Sequence, residues 1–233
     1  MRPGVVALAS ASLLVLGTAP GAGVPPPLPA RMADTGSGTQ LITAVAPKAG
    51  STSGTVTWWD RVDGRWVKTG SASARFGAKG LVEGARRKQG TNTTPTGLYG
   101  LPYAFGIKAA PRGTTYEYRR VRRDSWWCQD TGSRAYNRWT EPLARDCRAV
   151  EAERLVSYGA LYAHAFVIGF NYERPVKGRG AGIFLHVEGR GATAGCVSVS
   201  AAAMKRILKW ADPRRKPHIA IGTANGPTAV TRY

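Results

Sequence analysis

From Gln40 onward, short runs of β-branched and aromatic residues are broken every few positions by glycine, proline or asparagine. "TQLITAVAP", "GTVTWWDRV", "RWVKTG", "GLYGLPYAFG", "TYEYRRV", "HAFVIGFN" and "GIFLHVEG" all have this form, and "KAGSTS" reads as the turn between the first two. Runs so short and so punctuated close into strands and turns and leave little room for long helices. The 29 glycines and 15 prolines among 233 residues agree. One segment departs from the pattern. "SAAAMKRILKWA", residues 200–211, predicts a helix with Ser200 or Ser198 at its N-cap, Met204, Ile207 and Leu208 on one face, and Pro213 as the stop. The fold class is therefore mainly β with one late α-helix. Hydrophobic residues make up 43% of the chain, enough for a core and too many for wholesale disorder.

The opening "MRPGVVALASASLLVLGTAPGAG" has a basic residue at Arg2, an apolar stretch from Val5 to Leu16, then small residues and proline. That is the layout of a secretory signal peptide, with an apolar stretch too short to span a bilayer comfortably. Residues 1–30 are read as this signal, 31–39 as a linker, 40–225 as one domain and 226–233 as a tail. No other segment is apolar enough for a membrane span. The formal net charge of +19 predicts attraction to polyanions. The basic residues are scattered, as in Arg86-Arg87-Lys88, Arg119 to Arg123 and Arg214 to Lys216, and read as solvated surface. They form no nucleic-acid recognition signature. Nucleic acid and an anionic cell envelope are both candidates by charge alone, and export favours the envelope over the nucleic acid.

Export also makes the three cysteines informative, because an oxidising compartment favours pairing and an odd cysteine stands apart. Cys128 and Cys147 lie in one segment and are able to close a short loop, which leaves Cys196 alone; the sequence admits the other pairings too. No CxxC or HxxxH spacing suggests a metal site. In "FLHVEGRGATAGCVSVS", His186 and Cys196 stand ten positions apart across a loop of small residues. Cys196 is either an ordinary buried thiol or a nucleophile with His186 as its base. A helix start shortly after Cys196 would favour a thiolate. Gly195 allows a tight turn and keeps bulk away from an approaching carbonyl.

Four stretches together resemble the L,D-transpeptidase catalytic domain family, the YkuD-like fold, across residues 40–223. They are "TTPTGLYGL", "DSWWCQDTGSRAYNRW", "FVIGFNYE" and "GIFLHV…TAGCVSVS", the last being the most specific. The resemblance implies a mixed β-sandwich with the active site in a cleft at its edge. It implies that Cys196 attacks a carbonyl of a peptidoglycan stem peptide while His186 takes the thiol proton. The acyl group then passes to an amine as a cross-link. It further implies that Thr193, Ala194, Gly195 and the Cys196 amide shape an oxyanion loop, and it brings in no cofactor. This sequence departs from the commoner pattern at three points. Thr193-Ala194 replace serine-histidine before the Gly-Cys pair, Ser198 replaces arginine or asparagine, and the histidine-to-cysteine gap is shorter.

The remaining candidates for the cleft are His164, Tyr136, Asn137 and Glu188. His164 lies in an apolar strand, where a structural histidine is the commoner case. Tyr136 and Asn137 match the family's S-x-x-YN. Glu188 shares a strand face with His186 and is a candidate to orient it. Trp58-Trp59 and Trp126-Trp127 suggest a sugar-stacking platform, but strand neighbours point to opposite faces, so one of each pair belongs to the core. Two alternatives accompany the acyltransferase reading. One is an L,D-carboxypeptidase using the same pair, and the other a non-catalytic cationic wall-binding protein with Cys196 inert.

Overall fold

The computed structural model describes residue 1 and residues 25–233; residues 2–24 of the 1–30 segment read as a signal peptide lie outside the described residues. Fourteen strands are present among the described residues: β1 (Gln40–Ala46), β2 (Ser53–Val62), β3 (Arg65–Arg75), β4 (Leu81–Glu83), β5 (Thr94–Gly100), β6 (Ala104–Gly106), β7 (Tyr118–Arg120), β8 (Trp126–Cys128), β9 (Arg138–Thr140), β10 (Ala152–Arg154), β11 (Ala165–Val167), β12 (Phe184–Val187), β13 (Val197–Val199) and β14 (His218–Thr223). Eleven of them form one mixed sheet in the order β4-β5-β14-β1-β2-β3-β13-β12-β11-β6-β7, and β10-β8-β9 form a second. The single α-helix among the described residues, α1 (Ala201–Trp210), follows β13.

The large sheet curls on itself. Ile42 of β1 and Val56 of β2 share one buried cluster with Phe166 of β11, Leu185 of β12 and Met204, Ile207 and Leu208 of α1. The helix forms where its sequence periodicity places it, with Ser200 Oγ accepting the Ala203 amide at 3.2 Å as its N-cap. Adjacent Trp58 and Trp59 turn to opposite faces of β2, and both are buried. Trp58 enters the main core, and Trp59 packs with Leu41, Ala220 and Val230, its Nε1 donating to Thr43 at 3.0 Å. Neither offers a sugar-stacking surface.

The segment read as a linker lies against the domain, together with Leu28 from the end of the stretch read as the signal. Leu28 and Met32 pack on the Trp59 cluster, and the Ala33 and Asp34 amides donate to the carbonyls of Thr231 and Tyr233. The tail takes part in the same contact, with Val230 buried and the Tyr233 hydroxyl bonded to Thr96. No helix among the described residues is long and apolar enough to cross a membrane.

Strand alternation divides β12 and β13 between two interiors. Leu185, Val187, Val197 and Val199 face the main core. Phe184 and Cys196 face a second cluster with Trp127, Leu155 and Tyr162, beside the small sheet. In the parallel register Leu185 pairs with Val197 and His186 with Ser198. His186 is thereby set on the same face as Phe184 and Cys196.

Candidate active site

Cys196 and His186 line one cavity of about 390 Å³, and both are more than nine-tenths buried. Cys128 and Cys147 are joined by a disulfide, and Cys196 is the free thiol. The Cys196 thiol donates to the Gly182 carbonyl and its sulfur accepts the Phe184 amide, each at 3.4 Å. Among the described residues no hydrogen bond joins Cys196 to His186. His186 Nδ1 lies 2.7 Å from the Val187 carbonyl. A carbonyl only accepts, so Nδ1 carries the hydrogen and Nε2 is left as a proton acceptor. Tyr162 packs edge-on against the ring at 5.5 Å.

Burial favours the neutral form of both groups. Burial pushes the thiol up to about 12, with Glu153 adding to the shift and the Phe184 amide and Arg87 opposing it. Burial also lowers His186 to about 4, against the carbonyls of Val187 and Leu161, which favour its charged form. The sequence expectation of a thiolate at a helix start is corrected here. Cys196 leads directly into β13, α1 begins only at Ala201, and desolvation outweighs any distant helix dipole.

The loop before the cysteine is held by hydroxyls. Thr193 Oγ1 accepts the Gly195 amide at 3.1 Å and donates to the Cys196 carbonyl at 2.7 Å. Thr94 Oγ1, at the start of β5, donates to the same carbonyl at 3.3 Å and accepts the Gly77 amide at 2.8 Å. The "TPTG" stretch is thus a strand bracing the cysteine. Gly195 adopts φ +139°, and a Cβ there would lie 2.8 Å from Arg87 Nη2 and 2.9 Å from the Thr93 carbonyl, so only glycine suits the position. Its amide is engaged by Thr193, whereas the Cys196 amide has no acceptor among the described residues. Ala194 is exposed at the cavity rim.

The other candidates divide. Asn137 is a buried hub one layer behind the cavity. Its Oδ1 accepts Trp127 Nε1 and the Gly182 amide, each at 3.0 Å, and its Nδ2 donates to the carbonyls of Phe170 and Asn171. It fixes Gly182, whose carbonyl meets the thiol. Tyr136 donates to Gln89 Oε1 at 2.7 Å and accepts the Gly180 amide at 3.0 Å. Neither residue lines the cavity. His164 lies away from it, buried, with Nδ1 3.0 Å from the Tyr118 hydroxyl. Glu188 does not line the cavity either, and its carboxylate makes no hydrogen bond among the described residues; the Val187 carbonyl has the orienting place. Ser198, paired with His186 across the strands, is buried with its hydroxyl unpartnered.

Three charged residues line the cavity that were not singled out from the sequence: Glu153, Arg87 and the exposed Arg190. Glu153 of β10 accepts the Tyr162 hydroxyl at 2.7 Å and Gln129 Nε2 at 2.8 Å. Its enclosed carboxyl is raised by burial to about 7, with the hydrogen bonds from Tyr162, Gln129 and Tyr158 pulling the other way. Arg87, from a basic triplet read as solvated, is only 5% exposed and reaches into the cavity beside Gly195. Nothing in the local sequence marks either residue, because both reach the thiol only through long-range packing.

Among solved structures, the chain is similar to the structure of Bdellovibrio bacteriovorus Bd1075 at 17% identity and a TM-score of 0.40, over 79% of this chain. It spans about half the length of that protein, 48%. No curated protein matches the sequence. Residues 51–221 match the profile of the YkuD family, the L,D-transpeptidase catalytic domain. With most of the domain covered, including the cavity-lining strands and the loop before Cys196, the chain belongs to the YkuD family of L,D-transpeptidase catalytic domains.

Proposed function

We propose that this protein is a secreted cysteine acyltransferase that cross-links peptidoglycan stem peptides. The observation carrying the reading is the placement of a free thiol and a backbone-oriented imidazole on one face of adjacent strands, at the wall of one cavity. As the sulfur bonds to the donor carbonyl carbon, the thiol proton passes to His186 Nε2. The negative charge on the carbonyl oxygen is met by the Cys196 amide. Collapse breaks the carbon–nitrogen bond, and His186 returns its proton to the leaving amine. An acceptor amine then attacks the thioester and loses a proton to His186, and the sulfur leaves and recovers that proton. A substrate must first draw the thiol from the Gly182 carbonyl toward His186, since hydrogen bonds in an empty site tighten only in the complex.

The net charge of +19 supports residence on anionic wall polymers. No nucleic-acid partner and no cofactor belong to this reading. Burial of the thiol favours a second reading, a non-catalytic wall-binding domain with Cys196 inert. Incubating the full chain with a tetrapeptide muropeptide, with and without an amine acceptor, separates the possibilities by product mass. The transpeptidase reading expects an amine-linked product. Loss of the terminal residue to water in both conditions indicates a carboxypeptidase, and unchanged substrate indicates the binding domain.

A further inference from the structure

Arg87 is a buried cation with no anion beside it among the described residues. Its Nε donates to the Thr93 carbonyl at 2.7 Å and its Nη1 to the Arg179 carbonyl at 3.2 Å, and the Phe170 ring lies 5.7 Å from its Cζ. No carboxylate pairs with it among the described residues, and Nη2 has no hydrogen-bond acceptor there. Burial of a guanidinium without a counter-charge is costly, and carbonyl dipoles and a ring face compensate it only in part. Desolvation accordingly lowers its proton affinity. Nη2 sits against Gly195, the residue before the thiol, and Arg87 lines the same cavity as Cys196. An anion placed on the free guanidinium edge would therefore lie close to the carbon that the sulfur attacks.

Covalent geometry narrows the choice of anion. In a peptide whose scissile bond is followed by one residue, the terminal carboxylate carbon lies within about 4 Å of the scissile carbonyl carbon. A planar guanidinium with free N–H groups on one edge matches a planar carboxylate. Building on the acyltransferase reading, we propose that Arg87 determines donor specificity by binding the terminal carboxylate of the residue that leaves. The protein then acts one residue from a free chain end and discriminates against donors extended or amidated there.

The test measures binding, so it does not depend on turnover. Two tetrapeptide muropeptides, one with a terminal carboxylate and one with a terminal carboxamide, are titrated calorimetrically into the full-length Cys196→Ala protein, in which no oxyanion forms. The carboxylate form is expected to bind roughly 10- to 100-fold tighter, the usual worth of a charge-assisted hydrogen bond. Adding Arg87→Gln is expected to reduce that preference to less than about threefold, within the range of an exposed ion pair. Equal affinity for the two peptides, failure to bind either, or a preference that survives Arg87→Gln overturns the inference. The carboxylate–carboxamide comparison needs no change at Arg87, so equal affinity overturns the inference even if Arg87→Gln does not fold. Arg190→Gln, at the other arginine of the cavity, is expected to leave the preference intact, and its loss there overturns the inference as well. If the peptides are discriminated but the unaltered protein turns over neither, the acyltransferase reading fails while Arg87 keeps its carboxylate-binding role.

Discussion

At Cys196 and His186 burial sets the chemistry. A thiol held up to about 12 and an imidazole held down to about 4 form a neutral pair, so the proposed reaction requires proton transfer during attack and not a standing thiolate. The sign of the pH dependence follows. His186 must be neutral to accept the proton, and its neutral form persists in the folded protein as pH falls until about 4. The single-turnover acylation rate is therefore expected to stay level from pH 8 to pH 5 and to fall only as pH drops through about 4. Glu153, raised to about 7 and acting on the thiol, is removed from the profile by Glu153→Gln. An inflection near the ordinary histidine value of about 6.5 in that variant would mean that the base is solvated and is not the buried ring. Stability follows the same direction: between pH 6.5 and 4 an unfolded His186 binds a proton that the folded one refuses, so folding weakens as pH falls through that window.

Between elements, the site depends on hydrogen bonds running across long sequence separations. Asn137 joins β8 to the Gly182 segment through bonds to Trp127, Gly182, Phe170 and Asn171, at a backbone φ of +58°. Asn137→Ala strands several buried partners and places alanine in the left-handed region. It is expected to destabilise the protein by about 3 kcal/mol in urea unfolding, against about 1 kcal/mol for Tyr136→Phe, which removes one hydroxyl. Comparable losses for the two variants would contradict the hub role of Asn137. What the sequence made legible was local. The capped helix at Ser200, the alternation that buries Trp58 and Trp59 on opposite faces, and the His186–Cys196 pair all follow from short-range pattern. Arg87, Thr94 and Glu153 were not legible as site residues, because chain segments far apart bring them to the thiol. A basic triplet gives no local sign that its central member is buried.

Over the whole molecule, a curled mixed sheet places β12 and β13 side by side, with one face toward the main core and the other toward a cavity that the small sheet helps to close. The segments on either side of the domain, around Met32 and Val230, pack together at the Trp59 cluster, and the cavity draws on residues from Arg87 to Cys196. The fold thus encloses a thiol on a strongly basic protein. In the proposed reaction this thiol carries the acyl group. The direct measurement is the intact mass of the full-length protein after brief exposure to a tetrapeptide muropeptide without an amine acceptor, with peptide mapping of any adduct. A thioester adduct is expected, lighter than the whole muropeptide by the leaving amino acid, mapped to Cys196 and absent from Cys196→Ala. An adduct on another residue, or product formation that survives Cys196→Ala, would contradict it.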